Sequence, residues 1–172
     1  IDSPLKEACA CSASILLKEA DLELAGEARS VIDSILDDGR LLNAIIFLQR
    51  YRPKAAPLFD AHCAVELWSI KDVLEGLKVR KNDSRTVQVL ISSSPAASKV
   101  LLDQDFSYHL VKSGQEALVR FYSVALAHLG ICINAIRIGS IVIKPRATSY
   151  WDSIPNVIKG LSNIAPTGVL QS

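Results

Sequence analysis

The chain has 172 residues, a formal net charge of +1, 49% hydrophobic residues and 22% charged residues. These values fit one globular domain with a sizeable core and exclude a disordered chain. A charge so near zero offers no electrostatic case for nucleic acid or for an anionic membrane surface. No run of about 18 apolar residues occurs, so no membrane-spanning helix is expected. No basic-then-apolar leader opens the chain, so the expectation is a cytoplasmic protein without a secretory signal. Cys9, Cys11, Cys63 and Cys132 have no metal-ligand spacing and are expected to be buried, reduced thiols. His62, His109 and His128 are scattered and suggest no metal site. Methionine is absent and the first residue is Ile1, so the expectation is a processed chain or a part of something longer.

In chain order, residues 4–20 read as a helix running into a buried strand, with Asp21-Leu22 at the strand-to-loop junction. Residues 26–37 carry Ala28, Val31, Ile32, Ile35 and Leu36 at helical spacing, and Asp38-Gly39 ends that helix. The continuous apolar run Ala44-Ile45-Ile46-Phe47-Leu48 predicts a strand buried on both faces. Residues 57–77 predict a second long helix with Ala61, Ala64, Val65, Trp68 and Val73 inside it. Thr86-Val87-Gln88-Val89-Leu90-Ile91 is the next buried strand, closed by Ser92-Ser93-Ser94-Pro95. A third long helix is expected over 107–129, with Val111, Leu118, Phe121, Tyr122, Ala125 and Leu126 on its apolar stripe and Gly130 as its stop. Residues 131–136 form the next strand, and Gly139 lies just beyond it. The remainder, 144–172, has three prolines and reads as loops with short helices. This alternation predicts one α/β domain over 1–172: an open, doubly wound parallel sheet, Rossmann-like, with helices on both faces.

In such sheets ligands bind beyond the carboxyl ends of the strands. Asp21, Gln49 to Arg52, Ser92 to Ser94 and Gly139-Ser140 fall there. Tyr108 and Lys112 are four residues apart, on one helix face. An ammonium beside a phenol stabilises the phenolate, which can make a tyrosine a proton donor or acceptor near neutrality. A serine at the preceding strand end could hydrogen-bond a substrate oxygen. By spacing alone, the same residues also describe a solvated lysine beside a half-buried ring and a serine-rich turn or cap.

Val89-Leu90-Ile91-Ser92-Ser93-Ser94, Tyr108-x-x-x-Lys112, Ser123 to Ala127, and Gly130-Ile-Cys-Ile-Asn-Ala-Ile136 with Gly139 together resemble the short-chain dehydrogenase/reductase family. That family's pattern runs strand-ISS, YxxxK, a helix ending near ELA, then GIRVNAVxPG. Glu19 to Leu22 is similar to its acidic-plus-apolar pair, and Gly39-Arg40-Leu41 to the start of GRLDVLVNNAG. The likeness runs in order from about residue 15 to residue 145.

The resemblance implies an NAD(P)-dependent oxidoreductase passing hydride between NAD or NADP and a small carbonyl or alcohol substrate. Tyr108 would be the general acid/base, and Lys112 would support it and hold the cofactor ribose. Ser93, with Ser94 as its rival, would position the carbonyl. Asp21 and Leu22 would flank the adenine, Gly139 to Ile141 would pass beside the nicotinamide, and 144–172 would supply the substrate loops. Homo- or hetero-oligomers are implied through the two long helices, with Trp68, Val73, Leu118, Phe121 and Tyr122 at the contact.

The departures matter equally. The glycine-rich phosphate motif has no counterpart and would lie upstream of Ile1, and the family's C-terminal strand is missing after Ser172. Phe47-Leu48-Gln49-Arg50 replaces the small residues of NNAG, Glu66 replaces the relay asparagine, and Ile138 and Ile143 replace the proline and threonine near the nicotinamide. These substitutions motivate the alternative of a non-catalytic subunit with a binding or structural role.

Overall fold

The computed structural model describes residues 16–51, 58–81, 83–102 and 104–139, together with Asn156 and Lys159. Most of the element expected at 4–20, Cys9, Cys11, Ile141 and nearly all of 144–172 lie outside the described residues.

The chain alternates helix and strand, as its hydrophobic periods require. Helix α1 (Glu27–Asp37) leads to strand β1 (Ala44–Phe47). A continuous helical stretch follows in three parts: α2 (Phe59–Cys63), a π turn (Ala64–Trp68) and α3 (Ser69–Arg80). Strand β2 (Val87–Ser93) comes next, then helix α4 (Phe106–Ala125) and strand β3 (Ile131–Arg137). The strands pair in the order β1-β2-β3, all parallel, with Ile45 opposite Val89 and Val89 opposite Ile133. Each connection between neighbouring strands carries a helix, as a parallel pair requires. The architecture is therefore the expected Rossmann-like α/β arrangement, in part.

The strands are not buried on both faces. Ile45, Phe47, Val87, Val89, Ile91, Ile131 and Ile133 point into one core with Ile70, Val73, Leu74 and Leu77 of α3 and Tyr122 and Leu126 near the end of α4. Ala28 and Ile32 of α1 pack against that core. The alternate positions point the other way: Ile46 is 58% exposed and Ile136 49%, and Gln88, Cys132 and Asn134 are exposed too. Among the described residues, helices cover one face of the sheet only. A two-residue side-chain period thus operates inside runs that look continuously apolar. Cys63 is buried as expected, and burial pushes its thiol pKa up, but Cys132 lies on the uncovered face.

Helix ends follow local chemistry. Asp105 caps α4 by accepting the Ser107 N–H at 2.8 Å. After α4, a short 3-10 turn (Ala127–Leu129) leads into Gly130, which sits at φ 71°. A Cβ at Gly130 would stand 3.3 Å from the Arg85 carbonyl oxygen, so both the backbone angle and the space favour glycine.

The outward-facing residues correct one expectation. Trp68 and Phe121 are exposed, at 51% and 64%, whereas Val73 and Tyr122 are core residues and Leu118 packs against the core. Tyr122 donates its hydroxyl to Glu75 at 2.6 Å, tying α4 to α3; burial and that carboxylate push its phenol pKa well up.

Candidate functional site

Because the strands are parallel, their carboxyl ends share one edge, where β2 ends at Ser93 opposite Arg137 of β3. Helix α4 lays Tyr108, Lys112 and Glu116 along one stripe, one turn apart. The first two are brought together: the Lys112 ammonium nitrogen lies 5.5 Å from the centroid of the half-buried Tyr108 ring. The Arg50 guanidinium, from the loop after β1, lies 5.1 Å from the same centroid.

Lys112 is itself buried, and a buried ammonium needs partners. Its nearest is Glu66, wholly buried, whose Oε2 accepts at 2.6 Å; Gln115 Oε1 accepts at 3.1 Å. The other Glu66 oxygen accepts the Tyr51 backbone N–H at 2.7 Å and stands 3.1 Å from His62 Nε2. The far side of that buried imidazole, Nδ1, is 3.0 Å from the Ser107 hydroxyl. The Ser107 side chain, then its N–H, hold the Asp105 carboxyl below the usual range.

The π turn is what opens this arrangement. Its wider hydrogen bonding, with Ser69 N–H reaching back to the Ala64 carbonyl, leaves other carbonyls needing partners. Val65 O is taken by the Ser69 hydroxyl at 2.6 Å, and Glu66 O by Gln115 Nε2 at 2.7 Å. Gln49 in turn donates to Ser69 at 3.3 Å, linking the end of β1 to the turn.

Ser93 is not joined to the Tyr108–Lys112 pair by any hydrogen bond among the described residues. Its hydroxyl donates to Glu116 Oε1 at 3.0 Å. Glu116 is eight residues beyond Tyr108, about 12 Å along the helix axis. The same carboxylate takes Arg137 through two contacts of 2.6 Å. Arg137 first, and the Ser93 hydroxyl after it, hold the Glu116 carboxyl below its ordinary pKa. Ser94, the rival serine, is buried and caps the short turn Pro95–Ala97 by accepting the Ala96 N–H at 3.2 Å.

Asp21 is exposed and accepts the Glu23 N–H at 3.0 Å, a local turn, with half-buried Leu22 beside it. Gly139 is half-buried just past β3. The residues that motif reasoning passes over are His62, Gln115 and Ser107. Their signal was available: His62 lies four residues before Glu66 and Gln115 three after Lys112, the spacings that put side chains on one face.

No family model matches the sequence, and no curated protein does. Solved structures do match in fold. Enoyl-[acyl-carrier-protein] reductase (NADH) from Aquifex aeolicus VF5 superposes with a TM-score of 0.76 at 19% identity, over 96% of this chain and 67% of that one. A 3-oxoacyl (acyl-carrier-protein) reductase from Agrobacterium tumefaciens C58, solved with NADP bound, gives 0.74 at 17% over 96% and 66%. A short chain dehydrogenase from Mycobacterium smegmatis gives 0.62 at 16% over 78% and 60%. The chain spans about two thirds of the length of these structures. It has the fold of the short-chain dehydrogenases, as the resemblance of its motifs implied. No helix among the described residues is long and apolar enough to cross a membrane.

Proposed function

We propose that the chain is the central and C-terminal part of an NAD(P)-dependent oxidoreductase of the short-chain dehydrogenase type. Its substrate would be a small carbonyl compound or the corresponding alcohol. The observation that carries this reading is the pairing of Tyr108 with buried Lys112 at the carboxyl edge of a parallel sheet, in a fold whose similar structures include reductases named with NADH or bound to NADP.

The residues present fit a nicotinamide cofactor in one respect that can be checked atom by atom. An ammonium has three donors; Lys112 gives one to Glu66 and one to Gln115, leaving one for a ribose hydroxyl. Gly139, without a side chain, would allow close approach beside the nicotinamide, and Asp21 and Leu22 would flank the adenine. The nicotinamide, when bound, supplies or takes the hydride. The chain's own part is to orient and to move a proton: the Tyr108 hydroxyl would pass it to the substrate oxygen, with the positive charge of Lys112 close by. Ser93 would reach the carbonyl only by leaving Glu116, so Ser94 remains its rival for that role.

Tyr108→Phe is the direct test. Turnover should vanish in the full-length protein with the fold intact; unchanged turnover ends the assignment.

A second reading is favoured by a specific observation. Ser93 is engaged by Glu116, Lys112 by Glu66, and Arg50 lies over the Tyr108 ring, an arrangement that suits a non-catalytic subunit built on the same scaffold. Calorimetric titration with NADH and NADPH separates the two: micromolar binding supports the oxidoreductase, and none at millimolar supports the subunit. Either form would associate through exposed Trp68 and Phe121 on the long helices, and light scattering reports whether it does.

A further inference from the structure

We propose that Arg50 sets the substrate class of this site: its guanidinium holds a carboxylate on the same small molecule whose carbonyl or hydroxyl oxygen meets Tyr108. The substrate is then a short oxo acid or the matching hydroxy acid. The identity of that molecule as a redox substrate rests on the oxidoreductase reading above; the capture of a small carboxylate beside Tyr108 does not.

The chain is tied down on both sides of Arg50. Before it, Gln49 Nε2 donates to the Ser69 hydroxyl at 3.3 Å; after it, the Tyr51 N–H donates to Glu66 Oε1 at 2.7 Å. Both anchors lie in the π turn or directly after it, so residue 50 leaves the carboxyl end of β1 in a fixed place. Its side chain is exposed, and its guanidinium carbon lies 5.1 Å from the Tyr108 ring centroid. Contact with a ring face orients a guanidinium without neutralising it. A phenol carries its oxygen one ring radius and one bond from the ring centre, so a molecule of a few carbons can touch both groups.

The other charges around Tyr108 are matched. Glu66 takes Lys112, and Glu116 takes Arg137. Asp105 is engaged as the cap of α4, accepting the Ser107 N–H. Arg50 forms no ion pair among the described residues; its hydrogen bond there goes to the neutral side chain of Gln104, at 3.4 Å. A guanidinium has five N–H donors in one plane. With one of them on Gln104, a pair of parallel donors remains, and that fork matches a carboxylate. An ester of the same molecule has neither the charge nor the second equivalent oxygen. A phosphate of the nicotinamide cofactor shares the anionic chemistry, so it must be told apart from a substrate carboxylate.

The first test is NMR of the full-length protein without cofactor, following the Arg50 Nε–H and the Tyr108 ring as pyruvate, acetoacetate or their methyl esters are added. An acid should give a saturable shift at both groups, and its ester none. Arg50→Gln should remove the Tyr108 response; Arg50→Lys, which keeps the charge but not the fork, should keep part of it. Equal responses to acid and ester, no saturable response to either acid, or an unchanged response in Arg50→Gln overturns the proposal. The second test is turnover. In Arg50→Gln the kcat/KM of the acid relative to its ester should fall by between about tenfold and a hundredfold, as for loss of a charge-assisted hydrogen bond; an unchanged ratio overturns the proposal. Titration of the same variant with NADH identifies the anion. Affinity for NADH lowered as much as affinity for the acid means that Arg50 holds a cofactor phosphate, which also overturns it. If the NMR response stands while neither acid is turned over, the redox reading fails and the carboxylate capture survives it.

Discussion

The apolar layer beneath the sheet and the polar cluster between the π turn and α4 are buried alike, yet opposite rules hold them together. In the layer, Ile70, Leu74, Ile91 and Val89 meet neighbours that ask only for apolar volume. A swap that conserves volume there usually costs less than about 1.5 kcal/mol. In the cluster, Glu66 is as buried as Leu74, but each of its oxygens is assigned to particular donors. The first region tolerates many sequences. The second tolerates very few, because removing one partner strands the charge of another.

The sharpest way to break that comparison is to remove one charge from the cluster. Lys112→Ala should cost about 3–5 kcal/mol in urea unfolding, since Glu66 is left buried and uncompensated. Glu66→Gln added to Lys112→Met should recover much of that loss, although it removes more of the native contacts. If the double variant is no better than Lys112→Ala, the ion pair is not what stabilises the region. The matching change in the apolar layer, Leu74→Ala, should cost about 3 kcal/mol, with no second substitution expected to rescue it, because a cavity has no charge to balance.

Between those regions lie the ordinary joints of the fold, whose effects should be smaller. Gly130→Ala puts a side chain at φ 71° and within 3.3 Å of the Arg85 carbonyl oxygen, for a loss of about 1–2 kcal/mol in thermal unfolding. A neutral result would mean that the turn can relax. Arg137→Gln should have the smallest effect, as expected for a half-exposed pair, but with a defined pH signature. Arg137 and Ser93 depress the Glu116 carboxyl in the folded state. The stabilisation is then complete above the unfolded carboxylate pKa of about 4.3 and lost as pH falls through the lower folded value. The gap between wild type and variant should close as the solution is acidified below about pH 4; a gap that widens there contradicts the depressed value.

The two regions also differ in how legible they are from the amino acids. The strands, the three helical stretches and Gly130 as a stop are visible because burial writes a period into the chain. The sequence overstated that burial: Ala44 to Phe47 reads as apolar throughout, yet Ile45 and Phe47 face the core and Ile46 does not. A continuous apolar run cannot say which of its two faces a helix will cover. Trp68 likewise belongs by periodicity to the inside of its helix. The π turn shifts the phase of that helix, and Trp68 ends up half exposed. In the polar cluster, Tyr108 and Lys112 could be recognised by their spacing. Glu66 could be noticed only as a departure from a pattern. That it reaches Lys112 across 46 positions of chain, with His62 behind it, depends on how two helices pack, which no local spacing encodes. The bond from Ser93 to Glu116 is set by packing in the same way.

The π turn sets a constraint on chain length that side-chain chemistry alone would not suggest. In a regular α-helix each residue advances the direction by roughly 100°; one residue removed between Ala64 and Trp68 would let the stretch revert to that geometry. The segments on either side would keep roughly their directions, because the wide turn had absorbed one extra residue. Ile70, Val73, Leu74 and Leu77 would keep their places against the sheet, while Glu66, inside the turn, would be carried off the lines that join it to His62 and Lys112. The local spacing of this one segment is thus a structural dimension in its own right. A single-residue deletion there should leave a folded protein whose polar cluster no longer meets.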